Sequence, residues 1–325
     1  MATLFAQVAR NACQVFRESL ERRPLLKILI AVDVTSSADE VVEAVVERSW
    51  PADTSALVLI AIEYAEIPEK VWREVEGKVD PVRKKMLSQA EDITAHAIDQ
   101  LEESGIPAQA TIKFDDPRFT IVKIADQWQA DLIFIPAPHR TGPNLSVLSS
   151  VDEAVLRDAG CSVAIIRTTA DRKMNSNQGG MKILVATDGS EVSQLAVHSV
   201  ASRPWPLRTE VKIVTVLDPL RQLIEKAEPL VQVNSNAFEA AEKTLKEAKG
   251  LLSGAGLKIF GEVVNGNPRE EILKSARKWN ANLLVLGSSG RSGLKSLLFG
   301  SGAETIARQA PCSVEVIRRR ENQLN

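Results

Sequence analysis

The sequence is poor in cysteine, histidine and aromatic residues. Its 325 residues include three cysteines and three histidines, and aromatic residues make up 4%. No two cysteines form a CxxC pair and the histidines lack ligand-like spacing, so we expect neither a disulfide framework nor a metal site. Cys161 and Cys312 occupy equivalent places in two repeats and are expected to be small buried residues. A reducing cytosol is the simplest location, so we predict a cytoplasmic protein.

Long apolar runs and an excess of charge of one sign are also missing. No apolar run approaches the ~18 residues of a membrane span, and the formal net charge is −2. Neither a membrane-spanning protein nor a nucleic-acid-binding protein is therefore expected. The three arginines at 318–320 form a short run, which we interpret as the solvated end of a strand. The length favours about two domains.

The first 26 residues are a candidate amphipathic helix. Its apolar residues share one face: Leu4, Val8, Ala12 and Phe16. The segment lacks the compact apolar centre of a signal peptide, and Glu18 and Glu21 argue against a transit peptide. We expect this helix to pack on the first domain, and attachment to a membrane surface is the alternative.

The sequence contains the same unit twice. The block KILIAVD at 27–33 recurs as KILVATD at 182–188, at an offset of 155 residues. The block ADLIFIP at 130–136 recurs as ANLLVLG at 281–287, at an offset of 151 residues. A period this long indicates two copies of one domain and not a solenoid.

A polar stretch separates the two copies. Residues 168–180, TTADRKMNSNQGG, have no periodicity and end in two glycines, which is typical of a linker. We therefore predict five parts, in this order: an N-terminal helix (1–26), a first domain (27–167), a linker (168–180), a second domain (181–318) and a tail (319–325).

Each copy alternates strand and helix candidates. The strand candidates are rich in Val, Ile and Leu, as strands buried on both faces are. In the second copy they cover 182–187, 210–217, 257–263, 282–287 and 312–318. In the first copy they lie near 27–32, 56–62, 109–114, 131–136 and 161–167.

The helix candidates lie between these strands. Residues 236–252 place apolar side chains at three- and four-residue spacing, and Gly254 ends the segment. Pro268 opens the next helix, and a long helix covers about 80–103 in the first copy. The alternation requires right-handed crossovers, so we predict the α/β class, with two tandem doubly wound domains and helices on both faces of each parallel sheet.

The stretch GSSGRSGLKSLLFGS at 287–301 has the arrangement of a phosphate-binding loop. It follows an apolar strand candidate and leads into a helix candidate, which is where backbone N–H groups bind anions. Gly287, Gly290 and Gly300 let the backbone approach the anion, and Arg291 adds positive charge.

Ligands of doubly wound sheets lie at the carboxyl ends of the strands, where the strand order reverses. Asp188 ends the first strand of the second copy, and Gly287 ends the fourth. If these strands are neighbours, both residues face the same crevice.

Several blocks of the second copy resemble the universal stress protein family. They are ATDGS (186–190), VTVLD (214–218), Gly-Asn-Pro (266–268), the glycine spacing of 287–301 and the terminal CSVEVI strand. The resemblance covers both copies and suggests a tandem two-domain member. It implies a five-stranded parallel sheet of order 3-2-1-4-5 in each domain, and ATP binding where the glycine motif is intact.

The resemblance also implies a set of nucleotide-binding residues. Asp188 would lie against the ribose or a metal ion, the backbone of Val216 would contact adenine, and Arg291 would support the phosphates. The far end of the triphosphate would be held at the start of the helix. The full set is Ala186, Thr187, Asp188, Val216, Leu286, Gly287, Ser289, Gly290, Arg291, Gly300, Ser301, Gly302 and Ala303.

Two of these residues have structural alternatives. Ser301 and Glu304 have the spacing of a helix capping box, and Ser150 with Glu153 has the same spacing in the first copy. Asp188 is also a candidate turn or cap residue before the next helix. A cap and an anion site can coexist, so both interpretations stay open.

The first copy departs from the glycine motif. Pro136 replaces Gly287, His139 replaces Gly290, Ser149 replaces Gly300 and Val34 replaces Gly189. The proline removes an N–H group, and the histidine would crowd the phosphate path. We predict that this half binds no ATP, or binds another ligand weakly; His139 and Arg140 are candidates for a different anion site.

The last strand of each copy is an edge strand in this topology, and an exposed apolar edge strand needs a partner. In the resembled family this edge pairs two protomers. Here 162–167 and 313–318 could pair within one chain, giving a pseudo-dimer that could dimerise further.

The expected function is that of a cytosolic ATP-binding regulator of stress responses, in which the ligand shifts conformation or the choice of an unknown protein partner. ADP or AMP could replace ATP, with or without Mg²⁺. No general base lies within the glycine motif and no Walker-type GKS/T motif is present, so little or no catalysis is expected. The alternatives are a slow Mg²⁺-dependent ATPase and a nucleotide-free interaction scaffold.

Overall fold

The computed structural model describes most of both repeats. The described residues are 26–34, 37–63, 69–138, 148–167, 180–218, 230–288 and 301–319. The predicted N-terminal helix and linker lie outside them, apart from Leu26 and Gly180.

Each half contains five strands and four helices within the described residues. The first half comprises β1 (Lys27–Val32), α1 (Ser37–Val46), β2 (Ser55–Ile62), α2 (Glu69–Glu103), β3 (Ala108–Phe114), α3 (Pro117–Trp128), β4 (Leu132–Pro136), α4 (Ser150–Asp158) and β5 (Ser162–Ile166). The second comprises β6 (Lys182–Ala186), α5 (Glu191–Ala201), β7 (Glu210–Leu217), α6 (Leu230–Leu252), β8 (Lys258–Asn265), α7 (Pro268–Trp279), β9 (Leu283–Gly287), α8 (Ser301–Gln309) and β10 (Ser313–Ile317).

The strands form one continuous ten-stranded sheet in the order β3-β2-β1-β4-β5-β10-β9-β6-β7-β8. Neighbouring strands are parallel within each half, so each half has the predicted order 3-2-1-4-5. The α/β prediction with two doubly wound units is confirmed. Central strands such as β1 and β6 are almost wholly buried, since helices cover both faces of the sheet.

The helix starts follow their capping residues. Asp116 and Asn267 stand at equivalent N-cap positions of α3 and α7, and each side chain accepts the backbone N–H two residues on. A proline follows each cap, as predicted for Pro268. The predicted helix at about 80–103 was too short, because α2 begins at Glu69 and continues through an internal proline, Pro81.

The two halves meet where β5 and β10 pair in antiparallel fashion, with Ala164 directly opposite Glu315. The predicted pairing of the last strands within one chain is confirmed. This pairing places the halves about a local pseudo-twofold axis, because equivalent strands face each other in opposite directions. Neither strand is therefore left as an exposed edge.

Equivalent arginines cross this junction in both directions. Arg167, which follows β5, donates from Nη2 to the carbonyl of Ala307 at 2.7 Å, at the end of α8. Arg318, which follows β10, donates from Nη1 to the carbonyl of Ala159 at 2.5 Å, at the end of α4. Each half thus satisfies the last carbonyls of the other half's final helix. The interpretation of Arg318 as part of a solvated strand end was wrong, because pairing of the halves brings a helix terminus to it.

A buried ionic group lies at the same junction. Glu315 is 1% exposed; its Oε2 lies 3.2 Å from Arg48 Nη1, and its Oε1 lies 2.6 Å from Arg203 Nη2. The two arginines are equivalent residues of the two repeats, so one carboxylate serves both halves. Burial makes each charge costly unless all are paired, which ties the two halves to each other electrostatically.

Candidate functional site

The predicted crevice lies at the carboxyl edge of β6 and β9. These strands are neighbours in the sheet, with Val185 opposite Val285. Asp188 and Gly287 therefore follow adjacent strand ends, as expected. Helix α8 returns from β9 to the parallel strand β10, so its N-terminus also opens at this edge.

Asp188 forms the turn that leads into α5. Its Oδ1 accepts the backbone N–H of Ser190 at 2.9 Å. Ser190 is the N-cap of α5, and its hydroxyl accepts the N–H of Ser193 at 3.4 Å. The interpretation of Asp188 as a turn residue is confirmed, and a role toward a ligand stays a prediction.

Thr187 stabilises the same turn through hydrogen bonds of its side chain. Its side chain is buried, its Oγ1 lies 3.0 Å from Ser193 Oγ, and it accepts the N–H of Gly189 at 3.2 Å. Gly189 has a φ of 77°, a conformation that β-branched residues avoid. The first half has Val34 there, and Val34 is not among the described residues with positive φ. The turn after the first strand therefore differs between the halves.

Gly287 has a packing role that the sequence did not reveal. A β-carbon built on it would lie 2.9 Å from both the carbonyl carbon and the oxygen of Val192, in the first turn of α5. No side chain fits at this distance unless the backbone moves. Glycine at this position thus allows α5 to pack closely against the end of β9, whether or not a ligand is bound.

The first turn of α8 contains small residues and lies near a positively charged side chain. Ser301 is the first helical residue, and Gly302 and Ala303 follow it. A β-carbon built on Gly302 would have Arg269 Nε as its nearest neighbour, at 3.8 Å. The helix N-terminus and the guanidinium group both favour an anion at this position. Sequence analysis missed Arg269, although its place directly after the Gly-Asn-Pro block was a signal.

The equivalent arginine of the first half is neutralised locally. Arg118 Nη2 contacts Asp116 Oδ2 at 2.5 Å, and the pair is partly exposed. Hydrogen bonding to Asp116 raises the pKa of Arg118, and hydrogen bonding to Arg118 lowers the pKa of Asp116. In the second half neutral Asn267 replaces Asp116, so no carboxylate stands at that position beside Arg269.

The first turn of α4 contains a carboxylate, which belongs to Asp152. Ser149 is the N-cap, and it forms a capping box with Asp152: Asp152 Oδ2 accepts the Ser149 N–H at 2.8 Å, and Ser149 Oγ accepts the Asp152 N–H at 3.1 Å. The predicted box of Ser150 with Glu153 was wrong by one residue. Glu153 instead contacts Arg308 of the second half at 2.6 Å.

The repeat offset shows what this capping box replaces. Val151 and Asp152 stand where the second half has Gly302 and Ala303. Asp152 is 4% exposed, and burial raises its pKa to about 6. A carboxylate and a larger side chain thus occupy the helix start at which the second half has glycine and alanine.

The first half nevertheless has a cavity of about 540 Å³ at this edge. It lies at the carboxyl ends of β1, β2 and β4, between the starts of α3 and α4. Its walls are mostly apolar, and they include Asp33, Glu63 and Asp152.

The other predicted residues divide into two groups. Ala186 and Leu286 are buried strand residues, and Val216 packs against the core near the end of β7. Four residues of the loop lie outside the described part of the chain: Ser289, Gly290, Arg291 and Gly300. The same is true of His139 and Arg140 in the first half.

Metal clusters and membrane-spanning helices are both absent from the described residues. Within them, no group of three or more His, Cys, Asp or Glu side chains could hold a metal ion. None of the helices in the described ranges combines the length and apolarity needed to cross a bilayer.

Comparison with known sequences identifies related proteins for both halves. The model of the universal stress protein family matches residues 25–167 and 181–318. A universal stress protein of Methanocaldococcus jannaschii is 33% identical over 139 residues, which cover 42% of this chain and 82% of that protein. One of Bacillus subtilis is 28% identical over 145 residues, covering 42% of this chain and 98% of that protein.

Solved structures give the same picture for the fold. The crystal structure of a universal stress protein from Archaeoglobus fulgidus aligns with a TM-score of 0.62 and 20% identity, over 90% of this chain and 98% of that chain. A universal stress protein solved in complex with cAMP matches 42% of this chain and 97% of its own, at 25% identity and a TM-score of 0.32.

Proposed function

The chain belongs to the universal stress protein family, and we propose that its second half binds an adenine nucleotide while its first half does not. The ligand would be ATP, or ADP or AMP in its place, with or without Mg²⁺ near Asp188. Binding would act as a regulatory signal that shifts conformation or the choice of protein partner, with little or no catalysis.

The difference between the two helix starts at the sheet edge carries this proposal. Phosphates need unobstructed N–H groups and positive potential. At α8, Gly302 and Ala303 place no bulky or acidic side chain at these two positions of the first turn, and Arg269 lies near Gly302. At α4, the carboxylate of Asp152 already accepts an N–H group at the helix start.

The remaining members of the proposed site come from the glycine loop. Ser289, Gly290, Arg291 and Gly300 connect β9 to α8 and would close the site over the phosphates. The adenine would lie toward the end of β7, near Val216, whose side chain is partly buried. The carboxylate of Asp188 would contact the ribose or the metal ion and would keep its hydrogen bond to the Ser190 N–H in the turn.

The cellular setting is proposed on similar grounds. The two described cysteines are buried free thiols, which suits a reducing cytoplasm. The pairing of β5 with β10 covers the strand edge within one chain. Any homodimer would therefore have to use another surface.

Mass spectrometry of small molecules released from the purified full-length protein tests the proposal. We expect an adenine nucleotide from the wild type and much less from Gly302→Val, which introduces the residue that the first half has at this position. The substitution should leave the fold intact, because among the described residues outside this helix turn the nearest atom to the new β-carbon is Arg269 Nε at 3.8 Å.

The matched control is Val151→Ala, at the equivalent position of the first half, which should leave the nucleotide content unchanged. Absence of nucleotide from the wild type, together with no heat on titration with millimolar ATP, would refute the proposal and favour the scaffold. Steady phosphate release that Gly302→Val abolishes would replace it with an ATPase.

A further inference from the structure

The cavity of the first half lies at the position equivalent to the proposed nucleotide site of the second half. Its volume, about 540 Å³, is within the range of small-molecule sites. Apolar side chains such as Leu59, Ile121 and Ile135 form most of the wall. A ligand with an apolar body would therefore gain free energy by leaving water for this cavity.

The described residues that line this cavity carry charge of one sign. Asp33, Glu63 and Asp152 line it, and none of the described residues that line it is Lys, Arg or His. Such a cavity repels phosphates and carboxylates and attracts cations. This is the reverse of the charge at the start of α8, where Arg269 stands.

Asp152 is the most deeply buried of these three carboxylates, since Asp33 and Glu63 are exposed. It is 4% exposed, and its hydrogen bonds within the described residues come from Ser149, whose N–H reaches Oδ2 at 2.8 Å. Burial raises its pKa, while Arg167 attracts it and Glu153 repels it. Arg167 itself donates to the carbonyl of Ala307, across the junction.

We propose that this cavity binds a small organic amine, with its ammonium group against Asp152 and its apolar body between α3 and β4. An ammonium group would give Asp152 a charge-assisted hydrogen bond that Ser149 alone does not supply. The apolar walls would exclude water and strengthen that contact. The two halves would then bind ligands of opposite charge at equivalent sites.

Calorimetry with three compounds of the same body and different head groups tests this proposal: 4-phenylbutylamine, 4-phenyl-1-butanol and 4-phenylbutyrate. Each is titrated into the full-length protein near pH 7.5. We expect the amine to bind about tenfold more tightly than the alcohol, and the carboxylate not to bind. Saturating ATP should leave amine binding unchanged.

Two variants locate the site. Asp152→Asn should weaken the amine about tenfold and leave the alcohol almost unchanged. Val151→Phe should weaken both, because the larger side chain narrows the cavity. The control is Glu153→Gln, which removes a neighbouring carboxylate that does not line the cavity, and it should change the amine affinity far less than Asp152→Asn does.

Several outcomes would overturn the proposal. Equal binding of the amine and the alcohol would show an apolar site without charge recognition. Preferential binding of the carboxylate would indicate an anion site at His139 and Arg140 instead. No binding of any compound, or displacement of the amine by ATP, would also reject it. None of these results bears on nucleotide binding in the second half, except displacement by ATP.

Discussion

The two halves have the same fold but differ in the residues of the first turn of their last helix, which is α4 in the first half and α8 in the second. At α8 the first turn contains Gly302 and Ala303, with Arg269 beside it, whereas at α4 the same positions hold Val151 and Asp152. The strands, their order and the helix placement are the same on both sides. Both helix starts are buried against the core, and the fold accommodates a small apolar residue in one half and a carboxylate with its own capping hydrogen bonds in the other.

The halves are also asymmetric at their junction. The strand pairing places Ala164 opposite Glu315, so the only carboxylate of this opposed pair comes from the second half. Arg48 and Arg203 both contact it. A pair of two first halves would have two arginines and no acid here, so the asymmetry favours pairing between unlike halves.

Removal of the shared carboxylate should have the largest effect. Glu315→Gln removes the buried carboxylate that Arg48 and Arg203 share, and we expect the free energy of unfolding to fall by about 3–5 kcal/mol. Urea denaturation followed by circular dichroism measures this loss.

The strand register supplies a matched rescue for that change. Directly opposed residues of an antiparallel pair project to the same face, so the double variant Glu315→Ala with Ala164→Glu places the acid near both arginines again. We expect it to recover part of the lost stability. No recovery would mean that the site requires the carboxylate on β10.

Titration of Asp152 should have the second-largest effect. Its pKa is raised from 3.8 to about 6, so between these pH values the folded protein holds a proton that the unfolded chain has lost. Stability from this group is therefore full below about pH 4 and falls as pH rises through about 6, by up to about 3 kcal/mol. Asp152→Asn should become more stable relative to the wild type over this window.

Denaturation at several pH values between about 4 and 7 measures this difference. Ala303→Asn is the control at the equivalent position of the second half, which has no titratable group. Its stability relative to the wild type should not change with pH. A flat difference for Asp152→Asn as well would contradict the assigned shift.

A carboxylate in the first turn of α8 should give the second half the negative charge that the first half has at the equivalent position. Ala303→Asp introduces the equivalent of Asp152, and repulsion of the phosphates should weaken ATP about thirtyfold, or roughly 2 kcal/mol. Calorimetry measures the affinity. Ala303→Asn has a similar size without charge and should retain most of the binding; an equal loss in both variants would point to size and not charge.

Loss of one crossing arginine should have the smallest effect. Arg167→Met and Arg318→Met each remove hydrogen bonds to the end of the opposite half's last helix and keep an apolar stem. We expect each to cost about 1 kcal/mol in the free energy of unfolding. Thermal denaturation of the two variants compares them, and a clear loss in only one would show that the two arginines do not contribute equally to stability.

Much of the fold could be predicted from the sequence. The repeat and its apolar runs located every described strand to within one or two residues, because strands buried on both faces leave a strong apolar signal. Helix starts were less certain. The capping box was placed at Ser150, whereas the structure places it at Ser149, because the spacing of Ser and Glu also occurs where no cap forms.

The candidate site was harder to predict. Gly287 was interpreted as a ligand residue, but its missing side chain makes room for Val192, about 95 residues earlier in the chain. Arg269 was not identified, because its approach to Gly302 depends on how α7 and α8 pack. Such contacts join distant segments and leave no local pattern.

Local chemistry along the chain thus determined the duplicated α/β unit, its strands and the loss of glycines in the first half, since apolar periodicity and backbone freedom are properties of short segments. The charge at each helix start, the burial of Glu315 and the crossing of Arg167 and Arg318 followed only from folding. These features require segments far apart in sequence to share one small volume, and the energy of a charge depends on what surrounds it there.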